Sequence, residues 1–141
     1  MDDFYSLGLL INRASTSLSK ALNSALEEKS IDLPHSQFIV LRCLYYRDAL
    51  SQLEIANLLS KDAAAIKRTI DNLENKGLVI RNQIRASKNC IYITKEGKKL
   101  IPEALKIADE IISKALEKID EPDYNQLKSM LNKIYTNLGE K

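Results

Sequence analysis

The chain is poor in the residues on which most enzymes and metal sites depend. It has four glycines, two cysteines and one histidine among 141 residues. No stretch has the spacing of a glycine-rich phosphate-binding loop, and two thiols with one imidazole fall short of the ligand set of a structural zinc site. His35 has no Ser/Asp or Cys/His partner at a recognisable spacing, which favours a capping or surface role. We therefore expect no enzymatic activity and no cofactor.

We also expect neither a membrane-spanning segment nor a secretory leader. No apolar run approaches the roughly 18–20 residues needed to cross a bilayer. The first residues are acidic, and Asn12 and Arg13 interrupt the apolar stretch that a signal peptide requires. Cys43 and Cys90 are far apart and predict no disulfide framework. With 45% hydrophobic and 28% charged residues, the chain is expected to form a single domain, residues 1–141, in the cytoplasm and without a membrane partner.

What the sequence does contain is a pair of short helical patterns between residues 51 and 77. Ser51 and Glu54 have the spacing of a capping box, and Asp62 can cap the second helix. Gly77 follows the last periodic residue, where a left-handed conformation is wanted. The inward face of the second helix is predicted to consist of Ile66, Ile70 and Leu73. This arrangement is typical of a DNA-binding helix-turn-helix, although an ordinary helical hairpin gives the same pattern.

A basic two-strand pattern follows directly and favours the first of these interpretations. Residues 78–80 and 91–94 are β-branched or aromatic runs, and the polar stretch between them predicts a hairpin with a cationic tip. Seven Lys or Arg residues and one Glu between residues 76 and 99 give this segment a charge of +6, whereas the whole chain is +2. Charge concentrated in one unit is the electrostatic signature of a polyanion site. The segment therefore predicts a winged helix.

Three stretches carry a resemblance to a known family: LPHSQFIVLRCL, SQLEIANLLSKDAAAIKRTIDNLENKGLVIR and IYITKEGKKL. In order and spacing they resemble the multiple-antibiotic-resistance regulator (MarR) family of bacterial transcription factors. The resemblance implies a mainly α fold with a small β-hairpin: a winged helix-turn-helix over residues 33–94, with long dimerisation helices over 3–30 and 95–138. The wing departs from the family pattern. It is about two residues short and has Arg85-Ala86-Ser87 where an aspartate and an arginine are usual, so Arg85 would stand for the family arginine.

The outward face of the second helix predicts which side chains contact DNA. Arg68 is the candidate for reading a base, because its planar fork matches guanine O6 and N7. Ala64 and Ala65 permit close approach and can meet a thymine methyl group. Lys61, Lys67 and the helix N-terminus at Ser51 and Gln52 are expected at phosphates. In the wing, we expect three cations to contact the neighbouring minor groove or its phosphates: Arg81, Arg85 and Lys88.

The terminal helices carry apolar stripes with a mean spacing near 3.5 residues. This period suits helices that pack along one another at small crossing angles. The long helix after the wing has two such stripes, which suits packing both on its own winged unit and on a second subunit. A bundle within one chain remains the alternative, and the family resemblance favours the homodimer. The residues expected in the dimer interface are Leu7, Ile11, Ile112, Ile119, Leu127, Leu131 and Ile134.

Many members of the family bind small aromatic or phenolic ligands where the dimer helices meet the winged unit. The resemblance therefore implies a crevice whose candidate lining residues are Arg13, His35, Arg42, Tyr45 and Tyr46. Packing at the domain junction is the ordinary alternative for these residues. Family members that sense oxidants usually do so through a cysteine in the first helix, and no cysteine precedes Cys43, which disfavours redox sensing here.

The resulting prediction is a sequence-specific regulator of transcription that binds double-stranded DNA. We expect a repressor that occupies a pseudo-palindromic promoter site as a homodimer and that a small ligand releases. The alternative is a winged-helix module for protein–protein contact with little affinity for DNA. The +6 segment argues against that alternative, because a protein interface has no need of so concentrated a charge.

Overall fold

The computed structural model describes residues 2–85 and 88–139, apart from the side chains of residues 83–85 and 88. Within these ranges the chain is mostly helical with one antiparallel hairpin, as predicted. The elements in chain order are α1 (Asp3–Glu28), α2 (His35–Tyr46), α3 (Gln52–Leu59), α4 (Ala63–Asn75), β1 (Val79–Arg85), β2 (Lys88–Ile93), α5 (Lys95–Ala115) and α6 (Glu121–Asn137).

Local capping signals set the ends of the two central helices. Ser51 Oγ accepts a hydrogen bond from the Glu54 amide at 3.1 Å, and Glu54 Oε1 accepts one from the Ser51 amide at 3.0 Å. Asp62 Oδ1 accepts a hydrogen bond from the Ala65 amide at 2.8 Å and so begins α4. Gly77 follows α4 with φ of 74°, a conformation that costs glycine little because it lacks a Cβ. The predicted capping box, N-cap and left-handed glycine are all confirmed.

The core lies in the winged unit and between it and the adjacent parts of α1 and α5, with α2 at its centre. Val40, Leu41 and Leu44 of α2 are fully buried, and α2 packs against α3, α4, β2 and α5. The face of α4 predicted to point inward is buried as well: Ile66, Ile70 and Leu73. Because this face is fixed by the core, the opposite face of α4 is turned to solvent.

The hairpin strands are longer than the apolar runs that predicted them. They pair from Val79↔Ile93 to Arg85↔Lys88, with an irregular register between Gln83 and Arg85. The Ile91 amide also donates to the Leu50 carbonyl at 2.7 Å, which joins the hairpin to the chain before α3. At the base of the wing, a Cβ placed on Gly97 would lie 2.5 Å from the Leu78 carbonyl oxygen. Glycine is therefore required where α5 meets the wing.

The terminal helices bury much less than the winged unit does. α1 packs on α5, but Leu7 and Ile11 of α1 are 48% and 39% exposed. None of the described α6 residues is buried, so the protomer does not close a bundle of all three terminal helices. Among the described residues, every helix is too short or too polar to span a bilayer.

Candidate nucleic-acid interface

The solvent face of α4 carries the candidate base-reading side chain. Ala64, Lys67 and Arg68 are exposed and Ala65 is half-buried. Spacings of four and three residues place Ala64, Arg68 and Asp71 along one stripe of the helix. Arg68 forms no ion pair or side-chain hydrogen bond with any other described residue. Its guanidinium is therefore available to a ligand outside the protomer.

The other predicted cations of this face differ in how they are paired. Lys67 Nζ lies 3.1 Å from Asp71 Oδ2, one helical turn further along α4. Lys61, in the turn between α3 and α4, is exposed. Surface pairs such as Lys67–Asp71 contribute little to stability, so Lys67 can exchange its partner at small cost.

The N-terminus of α3 is already engaged in hydrogen bonds within the protein. The hydroxyl and the amide of Ser51 both take part in the capping box. The Gln52 side-chain oxygen accepts hydrogen bonds from Arg81 Nε at 3.2 Å and Arg81 Nη2 at 3.1 Å. The side-chain amide nitrogen of Gln52 is the group that this arrangement leaves to donate to a phosphate.

Arg81 was predicted as a wing cation directed at DNA, and the structure places it in a different setting. Its guanidinium contacts Asp71 Oδ1 at 2.5 Å and Glu74 Oε1 at 2.6 Å, in addition to Gln52. We call this cluster of Gln52, Asp71, Glu74 and Arg81 the Arg81 joint. Hydrogen bonds from Lys67 and then from Arg81 lower the pKa of Asp71, which keeps this carboxylate charged.

The two remaining wing cations lie at the tip of the hairpin. Arg85 ends β1, Lys88 begins β2, and the two backbones are paired. Their side chains lie outside the described residues, as do Ala86 and Ser87, on which the predicted displacement of the family arginine depends. The backbone alone places positions 85 and 88 at the end of the wing farthest from α5.

Comparison with known proteins decides the family of this fold. The model of the MarR family matches residues 33–90. The uncharacterised HTH-type transcriptional regulator YwoH of Bacillus subtilis is 32% identical over 108 residues, which cover 73% of this chain and 77% of YwoH. The chain belongs to the MarR family.

Two solved structures of MarR-type regulators extend the likeness to nearly the whole chain. The MepR–DNA complex of Staphylococcus aureus is similar with a TM-score of 0.83 at 25% identity, covering 97% of this chain and 99% of that one. CouR of Rhodococcus jostii, bound to p-coumaroyl-CoA, has a TM-score of 0.80 at 26% identity and covers 91% and 90% of the two chains. This protein is accordingly a MarR-type transcriptional regulator with a winged-helix fold.

In this MarR-family chain, part of the +6 segment is neutralised by residues outside it. Arg81 is paired with Asp71 and Glu74. Lys76 lies 3.1 Å from Asp32 Oδ1 and donates to Gln37 Oε1 at 2.6 Å. The charge count of the sequence could not reveal these pairs, because their partners come from helices and loops that only the tertiary fold brings close.

The residues expected to form a ligand crevice do not come together at one cavity. A cavity of about 230 Å³ between α1, α2 and α5 contains His35, and its other lining residues are Leu18, Leu22, Phe38, Ala108, Ile111 and Ile112. Arg42, Tyr45 and Tyr46 instead form an exposed cluster, with the Arg42 guanidinium 4.5 Å from the centre of the Tyr46 ring. Arg13 does not line this cavity either. Of the five residues expected at the crevice, His35 alone lines this cavity of the protomer.

Burial changes the titration of two groups near this region. Burial, and then the charge of Lys61, lower the pKa of His35. Burial raises the pKa of the Cys43 thiol, which keeps it protonated and weakly nucleophilic. Cys43 and Cys90 are both buried and free.

Proposed function

We propose that this protein is a cytoplasmic repressor that binds a pseudo-palindromic promoter site as a homodimer. The observation that carries the proposal is that the Arg68 guanidinium is exposed and, within the part of the chain that the structure describes, unpaired. It is exposed on the solvent face of α4 and has no partner among the described residues, on a fold similar to that of a regulator solved with DNA. A base edge in the major groove would supply the acceptors that the described residues do not.

The neighbouring residues fit a division between base reading and phosphate contact. The small side chains of Ala64 and Ala65 would let the start of α4 approach the base edges closely. Lys61, Lys67 and the Gln52 amide would bind phosphates on one side of α4. Arg85 and Lys88, at the end of the wing, would contact the neighbouring minor groove or its backbone.

The exposed apolar stripes of the terminal helices support the homodimer. Ile112 of α5, Leu127 and Leu131 of α6, and Ile119 between the two helices are between 38% and 42% exposed. Leu7 and Ile11 of α1 are exposed as well, and Ile134 lies on α6 one turn after Leu131. Burying such a stripe against its own copy gives two-fold symmetry, so the two α4 helices would meet half-sites about 10 base pairs apart. The expected site is therefore an inverted repeat.

The test compares Arg68→Ala with Lys88→Ala on sites selected by the wild-type protein from randomised duplexes. Arg68→Ala should weaken binding to the selected site by about 1–3 kcal/mol and relax the preference at one symmetric base pair. Lys88→Ala should weaken all sequences about equally and make the log–log salt dependence shallower. Full discrimination in Arg68→Ala would refute the assigned reading residue. Failure of the wild type to select any sequence would favour a protein-interaction module instead.

We also propose that a small aromatic acid or its thioester occupies the His35 cavity and weakens operator binding. Its lining is apolar except for His35, which suits an aromatic ring with one polar group, and CouR is a relative solved with p-coumaroyl-CoA. A ligand that prefers one dimer geometry shifts the population towards it. A panel of phenolic acids and their thioesters should raise the melting temperature of the wild type and not that of Ala108→Phe, which fills the cavity. No stabilisation by any compound would refute the site.

A further inference from the structure

The Arg81 joint connects the wing, α3 and α4. The relative positions of these three elements would determine which of their side chains can contact DNA at the same time. Arg81 belongs to the wing strand β1, Gln52 to α3, and Asp71 and Glu74 to the recognition helix α4. Glu74 accepts hydrogen bonds from both the side chain and the main chain of Arg81. Its Oε1 accepts one from Arg81 Nη1 at 2.6 Å, and its Oε2 accepts one from the Arg81 amide at 3.2 Å. The strand is thereby attached to α4 through main chain and side chain together.

The geometry of the joint requires arginine in particular. The Arg81 side chain is 24% exposed, and it donates to three different side chains in directions that only a planar fork can provide. Lysine carries the same charge but concentrates its donors on a single nitrogen. Charge-assisted hydrogen bonds of this kind are about twice as strong as neutral ones. Because the cluster is partly buried, salt screens these interactions less than it screens exposed ion pairs.

The charge balance around the joint argues against a phosphate contact by Arg81. The Arg81 joint has two carboxylates, Asp71 and Glu74, against one guanidinium. With or without Lys67 at Asp71, it therefore has no surplus positive charge. Asp71 lies on the same stripe of α4 as Arg68, one turn further on. If Arg81 left the joint for a phosphate, Asp71 and Glu74 would remain as two poorly compensated carboxylates close to the DNA backbone.

We propose that Arg81 is a positioning residue that sets the angle of the wing relative to the recognition helix. It would act on operator affinity through this angle, and the phosphate contacts of the wing would come from residues nearer its tip. This inference rests on the proposed function in DNA binding. It also reassigns Arg81, which its charge and its place in the hairpin alone had indicated as a direct DNA contact.

The test uses Arg81→Gln, Arg81→Lys and Asp71→Asn in the full-length protein, with the site selected by the wild type as probe. A positioning role predicts that each of the three variants binds the site about tenfold more weakly than the wild type. It also predicts that the double variant Arg81→Gln/Asp71→Asn binds no more weakly than either single variant. The salt slope should stay at the wild-type value. A phosphate contact predicts the opposite pattern: Arg81→Lys retains affinity, Asp71→Asn strengthens binding, and Arg81→Gln makes the slope shallower by about 0.9 for each phosphate that is no longer neutralised.

A second measurement tests the joint without DNA. The carboxyl carbon of Asp71, followed by NMR against pH, should titrate at a higher pH in Arg81→Gln than in the wild type, since one of the two hydrogen bonds that lower its pKa is removed. Arg68→Ala, on the same face, is the matched control and should leave this titration unchanged. An unchanged titration in Arg81→Gln overturns the inference. Wild-type protein that binds no DNA overturns the proposed function, whereas normal wild-type binding with a shallower Arg81→Gln slope overturns only the positioning role.

Discussion

The winged unit and α6 bury their apolar side chains to very different extents. In the winged unit Val40, Ile70 and Ile91 have no exposed surface at all, whereas Leu127 and Leu131 of α6 are 40% and 42% exposed. Both regions have the periodicity of amphipathic helices, so periodicity alone does not indicate where a face is buried. The winged unit completes its core within one protomer, and the stripe on α6 can be covered only by a surface that the protomer does not provide.

The largest expected effect comes from placing a charge on the α6 stripe. Leu131→Glu should abolish self-association, because a carboxylate in an apolar interface is left without a partner. Light scattering should give the 15.9 kDa protomer mass for this variant and twice that mass for the wild type. Lys133→Glu, an exposed position on the same helix, is the control and should remain dimeric. A wild-type monomer at micromolar concentration would contradict the proposed interface.

A pair of glycine substitutions is expected to have a smaller effect. It compares a position of α5 that is packed against the winged unit with an open position of α1. A Cβ on Gly97 would meet the Leu78 carbonyl oxygen at 2.5 Å and Ile93 Cγ1 at 2.7 Å, whereas a Cβ on Gly8 would meet nothing within 4 Å. Gly97→Ala should therefore lower the free energy of unfolding by about 1–3 kcal/mol. Gly8→Ala, inside α1, should raise it by about 0.5–1 kcal/mol through helix propensity. Urea denaturation measures both, and a Gly97→Ala protein at least as stable as the wild type would refute the tight contact at the base of the wing.

Features governed by neighbouring residues could be predicted from the sequence. The capping box at Ser51, the N-cap at Asp62 and the left-handed Gly77 each depend on residues within a few positions, and the structure has all three. The inward face of α4 followed from its helical period in the same way. These local signals, in the right order, were sufficient to predict the winged-helix fold.

Features that depend on distant contacts could not be predicted in this way. Arg81 and Gln52 are 29 residues apart in sequence. Asp71 and Glu74 are only 10 and 7 residues before Arg81, but they lie on a helix whose position relative to the hairpin a count of cations does not include. Tyr45 and Tyr46 were assigned to a crevice because they are aromatic and lie on α2. Their exposure depends on where α2 ends relative to α1 and α5, which no local pattern specifies.

The smallest expected effect lies at the boundary between the two regions, where His35 faces α1 and α5. Its pKa is lowered from the ordinary value of 6.5, so between the lowered and the ordinary value the unfolded chain binds more protons than the folded protein. Stability should therefore rise with pH through this range and be lost as the pH falls. His35→Gln should flatten the profile of urea midpoints in the pH range below the ordinary value of 6.5. Identical profiles for the two proteins would exclude His35 as the titrating group.

The separation of the proposed reading residues from the Arg81 joint has a consequence for how such a regulator can diverge. Ala64 and Arg68 are exposed and take no part in the core, whereas Asp71 and Glu74, on the following turns of the same helix, hold the wing. Substitutions at exposed positions of this kind usually change stability by less than about 0.5 kcal/mol. After a gene duplication, the two copies could therefore acquire different target sites through changes at 64 and 68 while inheriting the same wing geometry. A new target-site specificity would then require few mutations, and no further mutations to restore stability or wing geometry.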